Sequence, residues 1–383
     1  MSDNVTHLFP ERKKSSTRII TLILAFVVVI GAIVVVLSYE SGHFDTLRRF
    51  FTYLGQDGEN YYTYLPNSGS VYTEVDDELA IASVSDFAIY GAGDKLIGRI
   101  QVPLISPAVQ AGKKVAMAYD IGGSTIVAMD HKNKQQMNID TEGTLLDADI
   151  SSGDQICYAV STSGYKTVLV AINDSFQETY RWYSSSSFLS NCAISPKGDW
   201  MAAIAIGQNE HVYESKLLLF QTGTEEAPVE ISLGNQLVYD LEITDRNQIC
   251  VVSDVGATLL DRTGEVSATY PVENRYLADF DFGGSDFLTL AVNQYKAGNH
   301  YTLVTIPLNG GEIHETTLDQ EIIDLDSSGS YVGVLTAEGL FIFRNDLTEY
   351  ATMEQTGAAS GILMREDGTV LLMGSDSAKL FIP

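Results

Sequence analysis

Four pairs of acidic residues recur at matching places in the chain: Asp147 and Asp149, Asp240 and Glu242, Asp279 and Asp281, Asp324 and Asp326. Carboxylates at i and i+2 share one face of a strand. Repeated around an axis, such pairs would ring one mouth of a channel and offer oxygen ligands to a cation or a basic ligand. The same carboxylates could instead accept hydrogen bonds from turn amides of their own or an adjacent unit, which fixes geometry and binds nothing. Repetition in unit after unit is what the second role requires, and it is the reading favoured here.

Other chemistry is sparse. The six histidines, His7, His43, His131, His211, His300 and His314, show no H-x-x-x-H or H-E-x-x-H spacing, so surface or loop positions are expected and no metal site is read. GAGDKLIG (91–98) departs from G-x-G-x-x-G at Leu96 and runs on as a strand, so it predicts a hairpin turn. GGST (122–125) lacks the lysine and the first glycine of a phosphate loop, and no G-x-S-x-G elbow occurs. Catalytic residues and cofactors are therefore assigned as none. Three cysteines, Cys157, Cys192 and Cys250, are too few and too widely spaced for a disulfide framework or a zinc site. QICYAV and QICVVS are apolar strand-like runs, so buried, unpaired thiols are expected. Clustered aromatics (Tyr61, Tyr62 and Tyr64; Trp182 and Tyr183) could stack on cell-wall sugars or simply pack in strands.

The acidic pairs sit inside a repeat. LLDADISSGDQICYAV (145–160) aligns with VYDLEITDRNQICVVS (238–253), LADFDFGGSDFLTLAV (277–292) and IIDLDSSGSYVGVL (322–335), with looser copies at 106–119, 189–206 and 360–375. The anchors Ser106, Asp147, Asn191, Asp240, Asp279, Asp324 and Ser360 lie 36 to 49 residues apart. Each unit holds about four short β-rich runs between tight polar turns, which is the repeat of a β-propeller blade. The innermost strand of a blade is the one ending in D-x-[DE]. Residues 61–102 carry one strand more than a blade needs, while the copy from Ser360 is one short. An N-terminal strand completing the last blade makes eight blades the favoured count, with seven the alternative. GQNEHVYES (207–215) reads as a long variable loop.

Upstream, residues 19–37 (IITLILAFVVVIGAIVVVL) carry no charge, and their length at ~1.5 Å per residue spans roughly the ~30 Å of bilayer hydrocarbon. Arg12, Lys13, Lys14 and Arg18 precede them, whereas Glu40 and Asp45 follow, so the N-terminus is expected in the cytoplasm. The run is too long for a signal-peptide core and lacks an A-x-A-like site, so it is read as an anchor. Phe44, Leu47, Phe51 and Leu54 recur at helical spacing. The expected organisation is a cytoplasmic tail at 1–18, a transmembrane helix at 19–38, a juxtamembrane stalk at 39–60 and an extracytoplasmic propeller at 61–383. The formal net charge is −27, and the acid excess falls beyond the span, which argues against nucleic acid and other polyanions as partners.

SPKGDWMAAIAI (195–206) resembles the S-P-D-G-x-W pattern of TolB-type and WD40-like propeller repeats, with Lys197 at the usual Asp. The whole layout of basic tail, one span and acidic quinoprotein-like propeller resembles an uncharacterised family of single-pass, membrane-anchored propeller proteins of Gram-positive bacteria. That resemblance implies no catalytic residues. The eight-bladed layout suggests quinone-dependent dehydrogenases, but those resemble one another in tryptophan-rich repeats, and this chain has two tryptophans. The expected role is a protein-binding or scaffold module in the cell envelope, partnered by the membrane and another envelope protein. The alternative is a ligand-binding sensor or cofactor-dependent enzyme using the axial channel.

Overall fold

The computed structural model describes residues 61–64, 69–209 and 212–383, together with Phe26, Val29, Asp45 and Arg49. The tail expected at 1–18 and, apart from those four positions, the span and stalk expected at 19–60 lie outside the described residues. Among the described residues no helix is long and apolar enough to cross a membrane. Two compact units divide the chain, Met1–Gln56 and Asp57–Pro383, and among the described residues every strand lies in the second.

Its strands form eight four-stranded antiparallel sheets, each a meander except the last. Blades 1 to 7 occupy 71–101, 107–140, 144–184, 188–234, 238–271, 276–318 and 322–353. The eighth takes three strands from 361–381 and its fourth from Tyr61–Thr63, which pairs with Ser377–Phe381 in the register Tyr61↔Lys379, Tyr62↔Ala378, Thr63↔Ser377. The protein is an all-β, eight-bladed propeller, closed by the surplus N-terminal strand.

Burial explains the sequence of each strand. Second strands such as Val115–Asp120, Phe287–Asn293 and Tyr331–Thr336 are buried at every position because neighbouring blades cover both faces, so they read as unbroken apolar runs. Outermost strands such as Gln136–Asp140 and His314–Leu318 alternate with solvent, the period-2 pattern of a half-buried strand. The core is a set of apolar layers between blades. Met117, Ile126 and Val170 fill the layer between blades 2 and 3, and Leu290, Leu259 and Val304 fill that between 5 and 6.

Three expectations change here. GQNEHVYES is no loop: strands Trp200–Asn209 and Val212–Gln221 extend one hairpin almost to its tip. Tyr62 and Tyr64 are buried, so they stack on nothing outside; the Tyr64 hydroxyl donates to Gly374 O (2.6 Å) or Ser377 O (2.9 Å) and helps shut the ring. His131 is buried in a turn of blade 2, where its Nδ1 lies 2.5 Å from Glu78 Oε2 of blade 1, because the acidic hairpin of the neighbour covers it. The hairpin turn expected at 91–98 is present, with Gly93 and Asp94 both left-handed (φ 70° and 63°).

Candidate functional site: an acidic axis beneath an apolar face

The acidic pairs lie on innermost strands, as their place in the repeat requires. In blades 3 to 7 a β-bulge falls one residue before the first acidic or amide position, at Leu146, Ser190, Tyr239, Ala278 and Ile323. A bulge re-aims the residues that follow it. Asp147 and Asp149 then stand opposite Ala159 and Cys157, on the face turned to blade 4.

An innermost strand has an unpaired edge, and five of these carboxylates serve amides on the edge of the next blade. Asp147 and Asp149 accept hydrogen bonds from the Cys192 and Ile194 amides of the next blade at 2.8 and 3.0 Å. Asp324 and Asp326 accept from Ile362 and Met364 at 2.7 and 2.5 Å. Asp281 accepts from Ser327 of blade 7 and from Gly283, both at 2.9 Å. Gln110 does the same for Ile150 at 3.3 Å, a role the acidic pattern could not reveal. Asp240 and Asp279 turn to their own strand, accepting from Leu241 (2.8 Å) and Phe280 (2.9 Å). The amides belong mainly to the neighbouring innermost strand, whereas the repeat pattern suggested turn amides.

Each of the eight acids is half-buried, walled by protein yet open to the axis. Burial pushes Asp149 up to about 7 and Asp240, Asp279 and Asp281 to about 6. Burial likewise raises Asp324 and holds Asp147, Glu242 and Asp326 well above the usual carboxylate range. The carboxylates also repel across blades: Asp240 acts on Asp147, Asp281 on Glu242 and Asp326, and Asp324 on Asp279. Blades 3, 5, 6 and 7 therefore face one common axial space. Glu74 of blade 1 joins them, an acid the pattern missed because blade 1 carries Tyr72 where the others carry the first Asp. Its burial outweighs the nearby Arg365 and lifts it to about 8.

Where blades 7, 8 and 1 meet, a cavity of about 310 Å³ opens between Ser70, Tyr72, Asp324, Asp326, Ile362 and Leu363. In blade 8 the first acidic position falls on Gly361 and not on Ser360, the anchor expected from the repeat, and the Tyr72 hydroxyl and Asp324 fill the space a Cβ would need there. Among the described residues no group of three or more His, Cys, Asp or Glu converges to hold a metal ion. At the same seam Arg365 is buried; it donates to the Tyr62 hydroxyl (3.2 Å) and Asp77 O (3.0 Å) and lies 3.6 Å from Glu74 Oε1.

Exposed apolar side chains are unevenly placed. The face that carries the starts of the innermost strands presents Ile105, Phe188, Leu237, Tyr239, Tyr276 and Ile323. The connections between second and third strands reach the same face, with Val84, Ile121, Tyr165, Tyr213, Val255 and Tyr295. The opposite ends of the strands expose Leu96, Val229, Val266, Ile313 and Ile382. On the richer face the rings of Tyr165 and Tyr183 pack at a tilt of 44° with 4.8 Å between centroids, and Lys166 Nζ lies 5.0 Å from the centre of Phe188. Trp182 is turned inward onto Phe220.

A family model described as a family of unknown function, DUF5711, matches residues 52–377, nearly the whole ring and its approach. The chain belongs to the DUF5711 family. No curated protein matches this DUF5711 chain. Solved propellers do resemble it in fold. The C-terminal WD40 domain of Sif2 aligns with a TM-score of 0.60 at 10% identity, covering 85% of this chain and 99% of that one. The Dos1 propeller gives 0.56 at 10% identity, covering 84% and 94%. BamB from Moraxella catarrhalis gives 0.51 at 12% identity, covering 83% and 99%. At such identities the likeness concerns the fold alone.

Proposed function

We propose that the chain is a membrane-anchored, extracytoplasmic scaffold of the cell envelope that binds another protein on the face bearing the innermost-strand starts. The observation that carries the docking reading is the gathering of exposed aromatic and aliphatic side chains on that one face. A face rich in exposed tyrosines, one pair of them in ring contact, has the composition of an interface centre, where large rigid side chains lose little entropy on binding. A net charge of −27 selects against polyanions and favours a partner whose apolar patch is rimmed by Lys and Arg, because complementary charge speeds encounter and fixes register. The anchor rests on the uncharged run at 19–37 and the basic residues before it.

In-cell photo-crosslinking from the face tests the docking reading. A probe at Tyr183 or Tyr239 is expected to capture one discrete protein with a basic, apolar contact site. Substituting Tyr165, Tyr213 and Tyr276 by Ser should reduce that capture at least tenfold, whereas Val229→Ser with Val266→Ser leaves it unchanged. Equal loss from both sets, or capture of glycan alone, overturns it.

A further inference from the structure

Cys157 and Cys192 belong to different blades but share one apolar layer, with Leu169, Ile194 and Met201 around them. Both are free and sealed, 0% and 1% exposed. Strand register brings them together. Cys157 stands opposite Asp149, whose carboxylate holds the Ile194 amide, while the partner carboxylate of Asp147 holds the amide of Cys192 itself. Each thiol acts on the proton of the other, and Cα atoms of strands Ile156–Thr162 and Phe188–Ile194 approach within 8 Å. Bridging needs Cα atoms ~4.4–6.8 Å apart, and two carboxylate–amide bonds hold the two blades together at this seam. Cys250, in blade 5, is two blades from Cys157 and lies in a different layer.

We infer that Cys157 and Cys192 form a dithiol site that a disulfide oxidant converts into a staple between blades 3 and 4. The inference stands apart from the docking reading. The thiolate of Cys157 attacks a sulfur of the oxidant, giving a mixed disulfide and expelling one thiol. Cys192 thiolate then attacks Cys157 Sγ, closing the bond and expelling the second. Two electrons pass to the oxidant, and the two protons leave on its thiols. Only the thiolate reacts. The neighbouring Cys157 together with burial holds the Cys192 thiol well above its ordinary value, and burial raises that of Cys157. Reaction in the closed ring is therefore slow, quickening as pH rises or as the seam opens.

The test uses the full chain, in detergent, incubated with 2-hydroxyethyl disulfide at pH 8.5 across urea concentrations below the unfolding midpoint. Acid quenching, unfolding, alkylation and peptide mass spectrometry then read the thiols. Expected is one linked peptide pair, Cys157 with Cys192, two hydrogens lighter, with Cys250 alkylated. Cys157→Ser or Cys192→Ser abolishes the link, and Cys250→Ser keeps it. Three alkylated thiols at every urea concentration, a link that includes Cys250, or mixed disulfides that never close each overturn the inference.

Discussion

Asp149 shows how one side chain serves two ends. Its Oδ2 accepts the Ile194 amide 3.0 Å away, which satisfies a strand edge that water would otherwise have to serve. The same placement removes the carboxylate from bulk water and sets it near Asp240, so its proton is held up to about 7. Glu74, at about 8, is the extreme. For these acids the folded value exceeds the ordinary 3.8 or 4.5, so the folded chain keeps protons that the unfolded chain releases. The stability from this source is complete below about pH 4 and is lost as pH rises through 6 to 8. The propeller is expected to melt higher at pH 5 than at pH 8 in calorimetry. Asp149→Asn with Glu74→Gln, each keeping its shape without its charge, should flatten that dependence; an unchanged slope would place the pH response elsewhere. The acids themselves were legible from spacing. Gln110 and Glu74 were not, because a neutral amide or a lone glutamate in an irregular blade carries no pattern until its neighbours are known.

At the scale of elements, closure is the decisive feature. The short strand Tyr61–Thr63 supplies the outer edge of blade 8, and the Tyr64 amide donates to Asp376 O at 3.0 Å. Thr63 and Ser377 therefore form a non-hydrogen-bonded pair, with the Thr63 amide turned instead to Asp94 Oδ1 at 3.0 Å. Such pairs sit ~4.5 Å apart at Cα, within reach of a disulfide. Thr63→Cys with Ser377→Cys is expected to crosslink under mild oxidation and to add about 3–5 kcal/mol to stability, since the bond closes almost the whole ring. Chemical denaturation with and without reductant measures it, and no crosslink would contradict the register. The surplus strand was readable from counting runs. The bulges before Asp147, Asp240, Asp279 and Asp324 were not, because a bulge inserts one residue into a period-2 pattern without changing composition.

For the whole molecule, membrane topology decides which partners the ring can meet. The basic residues before 19–37 and the acidic ones after it predict that protease added to intact, wall-stripped cells removes the ring and spares an N-terminal tag. Digestion of the tag with the ring protected would invert the orientation and withdraw the envelope partner. The sequence alone determined the propeller class and favoured eight blades, because seven copies repeat one pattern of apolar second strand, alternating outer strand and polar turn every 36 to 49 residues. Local periodicity is written residue by residue, and so are hydropathy and charge. What only the tertiary structure decided are relations between blades. Asp147, Asp149, Asp281, Asp324 and Asp326 hold the next blade's amides, Arg365 joins Tyr62 and Asp77 across the closing seam, Cys157 and Cys192 share one apolar layer, and the scattered exposed tyrosines gather on one face. Those contacts join residues tens to hundreds of positions apart, and their distances are set by blade stacking and twist, which leave no mark in local sequence.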